Sequence, residues 1–182
     1  MSSSQFNQAD HHGGNDNVLT PPYILEALGP FDLDPCFGRP RPWNTAERMF
    51  CLEDEQDGLQ LSWDGRVWLN QPYSNATAWA RRMAGHNNGT MLVFARTETQ
   101  WFQDYVFPVA SGILFLRRRL NFFQPNGEPV RTQKGKISNA GAPSVLISYD
   151  YPVGAPLNLM RLSLALANGK LAGRLVRLWG QK

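Results

Sequence analysis

The sequence lacks several features that would assign a protein to a class at once. Only two of its 182 residues are cysteines, too few for the disulfide framework of a small secreted domain. No apolar run approaches the roughly 18 residues that a membrane-spanning helix needs. The N-terminus, MSSSQFNQADHHGGND, has no cationic start followed by an apolar block, so we expect no signal peptide. These absences favour a globular protein of a reducing cytoplasm.

Histidine is also scarce, with three in the chain. His11 and His12 lack partners at ligand spacing, so we expect no metal site in the polar N-terminal segment. We interpret residues 1–17 as a tail and 18–182 as a single domain, because this length suffices for one well-packed core and rarely for two. The net charge of +3 is compatible with a nucleic-acid partner without requiring one.

The sequence does contain short apolar runs that alternate with helical stretches. This alternation predicts an α/β fold with a mostly parallel sheet. The predicted strands are FDLD, RMFCLE, GLQLS, RVWLN, TMLVFA, GILFL and SVLISYD, of which the last closes the sheet. The predicted helices are TPPYILEAL with Thr20 as its N-cap, SNATAWARRMAG closed by Gly85, TQWFQDYVF and LNLMRLSLALANG.

Polar residues cluster where three of the predicted strands end. In an open α/β sheet, ligands bind beyond the carboxyl ends of the strands. The residues are Asp34, Pro35 and Cys36 after the first strand, Glu53, Asp54 and Asp57 after the second, and Asn70, Gln71, Pro72 and Tyr73 after the fourth. Three such ends together predict a binding pocket at this edge of the sheet.

A basic interval at 117–143 interrupts the second half of the chain. Its cations are Arg117, Arg118, Arg119, Arg131, Lys134 and Lys136, against the single acid Glu128. Lysine and arginine neutralise phosphates, and glycine and amide residues make a loop adaptable to base edges. A run of positive charge is otherwise a solvated face. Because the interval lies next to the predicted pocket, we expect it to bind nucleic acid.

Several motifs, in this order along the chain, resemble the phage-type, Dam-like DNA N6-adenine methyltransferases. They are FDLDPCFG, the DGL…W-x-G-x-VW run at 57–68, and NQPYS. TPPYILEAL and RRRLNFF…GAPSVLISY extend the resemblance to roughly residues 18–150. It implies a Rossmann-like class I fold, mostly parallel with an antiparallel edge strand, that uses S-adenosylmethionine and no metal. Neither the family nor this chain has the G-x-G-x-x-G fingerprint.

The resemblance also implies which residues hold the cofactor. They are Thr20, Pro21, Asp34, Pro35, Cys36, Glu53, Asp54 and Asp57. Asp34 would face the methionine end, Glu53 or Asp54 would accept both ribose hydroxyls, and Asp57 would accept from the adenine amine. The alternatives are a helix- or loop-capping role for Asp34 and a solvated acidic loop for Glu53 and Asp54.

NQPYS is the catalytic corner that the resemblance implies. Methylation of an amine requires the nitrogen lone pair to be freed from the ring, which acceptors on both N–H groups favour. The side-chain oxygen of Asn70 and the backbone carbonyl of Gln71 would be those acceptors. Pro72 restricts Gln71 to extended conformations, and Tyr73 would stack on the extruded base. The alternative is an ordinary strand-to-helix turn.

Gln71 departs from the family's usual Asn-Pro-Pro-Tyr corner. The substitution keeps a carbonyl at this position but lowers rigidity and adds a polar side chain, so we expect activity to survive. Two other functions stay open: methylation of RNA or of a protein amide, and a catalytically impaired nucleic-acid-binding relative. We expect neither a membrane nor an obligate protein partner, and a bacterial host cytoplasm if the gene belongs to a phage.

Overall fold

The computed structural model describes residues 18–150 and 157–178. The predicted tail, with His11 and His12, lies outside the described residues. The strands are β1 Leu33–Phe37, β2 Arg48–Cys51, β3 Val67–Leu69, β4 Asn88–Phe94, β5 Gly112–Leu116, β6 Ser144–Asp150 and β7 Gly173–Arg177. The helices are α1 Pro22–Leu28, α2 Ala76–His86, α3 Gln100–Tyr105 and α4 Leu157–Ala167, with 3₁₀ turns at Leu52–Asp54 and Tyr73–Asn75. Within these ranges no helix is both long and apolar enough to cross a membrane.

The seven strands form one mixed sheet in the order β2-β1-β3-β4-β6-β5-β7. β2, β1, β3 and β4 pair in parallel, whereas β6 runs antiparallel between β4 and β5, and β7 runs antiparallel to β5 at the edge. The prediction that SVLISYD closes the sheet was therefore wrong. Six of its seven residues are buried, which suits an interior strand with helices on both faces.

The chain connections that follow β1 and β3 run in opposite directions across the sheet. The chain leaves β1 towards β2 at one end of the sheet, and leaves β3 towards β4 in the other direction. Such a reversal opens a crevice at the carboxyl ends of the two strands, where open α/β sheets bind their ligands. β5 ends and β6 begins at this same edge, because Phe115 pairs with Val145. The 117–143 interval therefore leaves the sheet and returns to it beside the crevice.

Two apolar layers cover the faces of the sheet. Side chains alternate along β3, so Trp68 packs in the layer that contains residues of α1 and α4, whereas Leu69 packs in the layer that contains residues of α2 and α3. Both side chains are fully buried. The strand that leads into the predicted catalytic corner is consequently fixed from both faces.

Two helix ends differ from the predictions. Pro21, not Thr20, occupies the N-cap position of α1, and it makes no side-chain capping bond. Gly85 does not close α2, which continues to His86 and is capped by Asn87, a residue with a left-handed φ of 54°. Asparagine tolerates this conformation better than other non-glycine residues, so it provides an alternative helix stop.

Two of the predicted strands also differ from the structure. β1 starts at Leu33, two residues later than predicted, and passes through Pro35. Its register with β2 shifts between Asp34 and Phe37, and such an irregularity accommodates a residue without an N–H. The weak strand GLQLS is a turn instead, in which the N–H groups of residues 60 and 61 donate to the carbonyl of Asp57.

Candidate active site

Asn70 follows β3 directly and is held by a neighbouring segment. Its Nδ2 donates to the backbone carbonyl of Val18 over 3.3 Å. Because the amide nitrogen must face that carbonyl, Oδ1 is the atom left to accept a hydrogen bond from a ligand. The segment of Val18 is fixed in turn, since Leu19 and Phe123 exchange two backbone hydrogen bonds of 2.8 and 3.1 Å. Asn70 is therefore preorganised as an acceptor.

Gln71 is buried rather than solvated. Its side chain is 3% exposed, and neither Oε1 nor Nε2 has a hydrogen-bond partner within the described residues. A buried polar group without a partner costs about 1–3 kcal/mol. Pro72 follows with an extended ψ of 137°, immediately before the 3₁₀ turn that starts at Tyr73. The departure from Asn-Pro-Pro-Tyr thus places an unsatisfied amide beside the corner.

Tyr73 is half-buried and stacks on Phe94, the last residue of β4. The two ring centroids are 4.5 Å apart and the ring planes differ by 13°. Phe94 covers one face of the tyrosine ring and fixes its plane. The sequence prediction did not include Phe94. Phe94 meets Tyr73 through a tertiary contact, which no local pattern in the sequence marks.

Asp34 is buried in β1 with both carboxylate oxygens engaged. Oδ2 accepts from the hydroxyl of Thr45, and Oδ1 accepts from the backbone N–H of Cys36 over 3.1 Å. Arg41 lies 3.9 Å from Oδ2. Burial raises the pKa of Asp34, and the Arg41 charge and the Thr45 hydroxyl offset this only in part. The capping role is therefore present, while contact with the cofactor stays a prediction.

Cys36 brings the two predicted motifs together. Its thiol lies against the backbone of Asn70. Burial, with a smaller contribution from the Asp34 carboxylate, raises the pKa of the thiol well above its usual value, so the group stays neutral near pH 7. The DPCFG segment and the catalytic corner consequently form the two walls of one crevice.

Glu53 and Asp54 lie in the 3₁₀ turn directly after β2, and both are exposed. Asp54 forms a 2.6 Å ion pair with Arg39. Glu53 accepts a hydrogen bond from the Cys51 thiol at 2.7 Å, which lowers the pKa of the glutamate. Since Asp54 already has a cationic partner, Glu53 is the better candidate for the ribose diol.

Asp57 organises the turn that follows. Its Oδ1 accepts from the N–H of Leu59 over 2.9 Å, the pattern of an Asx-turn. A Cβ added to Gly58 would lie 1.8 Å from the carbonyl oxygen of Pro35, so only glycine allows the turn to pack this closely on the DPCFG segment. The carbonyl of Gly58 also accepts from Trp63 Nε1 at 2.7 Å. Asp57 therefore lies near the crevice with one carboxylate oxygen engaged.

Thr20 and Pro21 are buried just after Val18, the residue that holds Asn70. The Thr20 hydroxyl has no hydrogen-bond partner within the part of the chain that the structure describes. The structure thus brings this predicted segment to the catalytic corner.

The 117–143 interval is a folded platform rather than a loose loop. Thr132 donates its N–H to the carbonyl of Lys136, and buried Leu120, Phe122 and Ala140 anchor the interval to the apolar layer beside α1 and α4. Its six cations are exposed, and none forms an ion pair with an acid of the described residues. They are Arg117, Arg118, Arg119, Arg131, Lys134 and Lys136.

Comparison with known proteins identifies the family. The model of the family described as DNA N-6-adenine-methyltransferase (Dam) matches residues 11–166, which include all three polar strand ends and the basic interval. No curated protein and no solved structure matches the chain. The resemblance in the motifs is therefore confirmed, and the chain belongs to the DNA N-6-adenine-methyltransferase (Dam) family.

Proposed function

We propose that this protein transfers a methyl group from S-adenosylmethionine to the exocyclic N6 of an adenine that it extrudes from double-stranded DNA. The observation that carries the proposal is the position and orientation of Asn70. It lies at the crevice between β1 and β3, and its amide nitrogen is held by Val18 so that Oδ1 is left as an acceptor. The family supports the reaction type.

The proposal includes a Rossmann-like class I arrangement of the sheet. Its support is the crevice at the reversal between β1 and β3, the four parallel strands around it, and the helices on both faces.

The chemistry of the corner depends on two acceptor oxygens. Asn70 Oδ1 and the Gln71 backbone carbonyl accept from the two N–H groups of the target amine, which holds its nitrogen pyramidal with the lone pair directed outwards. These bonds strengthen as positive charge develops on the nitrogen, so they lower the barrier rather than merely binding the base. Tyr73, fixed against Phe94, replaces the stacking that the base loses on leaving the duplex.

The residues of the acidic strand ends fit the cofactor. S-adenosylmethionine supplies an electrophilic methyl group on a positively charged sulfonium. Glu53 offers an exposed carboxylate for the ribose hydroxyls, with one oxygen already accepting from the Cys51 thiol, and Asp57 keeps one oxygen beyond its bond to Leu59. Thr20 provides a buried hydroxyl without a partner among the described residues, next to the corner. Asp34 fixes the conformation of the DPCFG segment through its hydrogen bonds with Cys36 and Thr45.

The test is methyl transfer from isotopically labelled cofactor to an adenine-containing duplex, with N6-methyladenine identified by mass spectrometry. A duplex in which purine replaces the adenines lacks the amine and serves as the control. Transfer to RNA or to a protein amide instead of DNA would reassign the acceptor. Cofactor binding and transfer both absent from folded protein would indicate the impaired relative, which the unsatisfied Gln71 amide would then explain.

A further inference from the structure

A cleft of about 920 Å³ runs along α2, outside the catalytic corner. The segment 59–63 lines one side and α2 lines the other. The cleft begins near Asn75, two residues after Tyr73, and extends to His86 at the end of the helix. Eleven helical residues span about 16 Å, so the cleft leads away from the corner over a distance comparable to several nucleotide steps.

The lining of this cleft carries positive and no negative charge. Arg81 and Arg82 carry it, and none of the lining residues is acidic. The sequence has no aspartate or glutamate anywhere in 65–97. Arg81 is exposed, and neither arginine forms an ion pair in 18–150 or 157–178. No ion pair within the described residues therefore neutralises the two arginines of the cleft.

Arg82 is already held in position along the cleft. Its Nη2 donates to the carbonyl of Leu61 over 2.6 Å, and its guanidinium lies 5.3 Å from the centre of the Trp63 ring. Its Nε is buried and has no partner within the described residues. A guanidinium fixed in this way loses little conformational freedom when it meets an anion. Hydroxyl and amide groups that suit phosphate oxygens also line the cleft, on Ser62, Thr77 and Asn75.

The cleft suits phosphates better than bases. Trp63 is 9% exposed, with Arg82 over its ring and Trp79 stacked at 6.3 Å, so it offers no free aromatic face to a nucleobase. A free nucleotide would need an exposed aromatic face on which its base could stack, whereas a sugar-phosphate backbone needs only cations and hydrogen-bond donors. Charge and shape therefore favour the backbone of a nucleic acid.

We propose that the α2 cleft binds the phosphate backbone of the DNA beside the target adenine. α2 packs on one face of the sheet, and the 117–143 interval is anchored to the other. DNA would then be held from both faces of the sheet edge, with the catalytic corner between the two contacts. This inference rests on the proposed function in taking DNA as the substrate.

Binding of a labelled duplex to the Arg81→Ala variant, over a range of salt concentrations and without cofactor, tests the cleft. Removal of one charge-assisted hydrogen bond to a phosphate should weaken binding roughly tenfold and reduce the salt slope by about 0.9. Arg81 is exposed, so the variant should fold. Arg174→Ala, an exposed arginine on the edge strand β7, is the matched control and should bind as the unaltered protein does.

A duplex with a single neutral methylphosphonate next to the target adenine locates the contact. The unaltered protein should bind this duplex more weakly than the unmodified duplex, whereas Arg81→Ala should bind both duplexes with the same affinity. Equal affinity and salt slope for Arg81→Ala and Arg174→Ala would overturn the inference, even with methyl transfer intact. If Arg81→Ala weakens DNA binding but the unaltered protein transfers no methyl group, the proposed function is wrong and the assignment of the cleft to DNA binding is retained.

Discussion

The two parts of the chain that meet at the crevice carry opposite charge. Residues 1–64, which supply β1 and β2, contain eleven acidic and three basic residues, a net charge of −8. Residues 65–182, which supply β3 to β7, contain four acidic and fifteen basic residues, a net charge of +11. The sheet places β2 and β1, from the acidic part, at one end and the strands of the basic part beyond β1.

This division explains why the mild overall charge of +3 says little about function. Under the proposed function, one substrate has a net positive charge, because its sulfonium and ammonium groups outnumber its single carboxylate, and the other carries a phosphate backbone. An acidic end attracts the former, and a basic end attracts the latter. Both substrates must meet where the charge changes sign, which is where Asn70 lies. Substitutions on either side of the crevice should therefore affect different substrates.

Asn70→Ala should have the largest effect, because the residue lies on the boundary and serves the reaction rather than either substrate. Removing an acceptor that acts mainly in the transition state should lower turnover roughly 10²–10³-fold. Affinities for the cofactor and for DNA should change less than about twofold. Single-turnover kinetics with labelled cofactor, together with calorimetry, measure the three quantities.

Asn168→Ala is the control for this experiment, since Asn168 is an exposed amide just after α4, outside both the corner and the α2 cleft. Full turnover by folded Asn70→Ala would exclude the two-oxygen arrangement at the corner.

Replacement of Arg131, Lys134 and Lys136 by alanine should have the next largest effect, restricted to the basic end. The salt slope of DNA binding decreases by about 0.9 for every phosphate that the protein no longer neutralises, so affinity at low salt should fall while cofactor affinity stays constant. Anisotropy titrations at several salt concentrations give the slope. If cofactor affinity falls in parallel, the interval is structural and does not contact DNA.

Sequence alone predicted the strands that have continuous apolar runs. TMLVFA, GILFL and SVLISYD are buried strands, since only the interior of a sheet accepts such runs. β7 was missed because its residues Gly173–Arg177 are mostly exposed and include two arginines, so no apolar run marks it. The order of the strands depends on long-range pairing, which no local pattern contains.

The predicted site has the same limitation. The corner at Asn70 was identified because its residues are contiguous. The sequence did not identify Val18, Thr45 and Phe94 as parts of the site. Each acts through a tertiary contact: Val18 with Asn70, Thr45 with Asp34, and Phe94 with Tyr73. Burial of a glutamine amide is likewise invisible in a sequence, where a polar residue in a turn indicates exposure.

Glu53→Gln should have a smaller effect, restricted to the acidic end. A carboxylate offers two acceptor oxygens to a ribose diol and an amide offers one, so cofactor affinity should fall roughly tenfold. Binding of duplex DNA should not change. Asp54→Asn is the comparison, and its effect should be weaker because Arg39 already engages that carboxylate. A larger loss for Asp54→Asn by calorimetry would reverse the assignment of the ribose acceptor.

Substitution of Gln71 should have the smallest effect on turnover, because the chemistry uses its backbone carbonyl and not its side chain. Gln71→Leu removes a buried amide that has no partner in the described residues, so the free energy of unfolding should rise by about 1 kcal/mol. Gln71→Pro removes the same amide and restores the family's rigid corner, so its turnover should be equal or higher. Urea denaturation measures the stability change, provided that the m-value stays constant. Comparison of Gln71→Leu with Gln71→Pro separates the effect of losing the amide from the effect of a more rigid backbone, since only proline restricts the backbone. Loss of turnover in folded Gln71→Leu would show that the amide contacts a substrate at the crevice, and would assign it a task that the proposed chemistry does not.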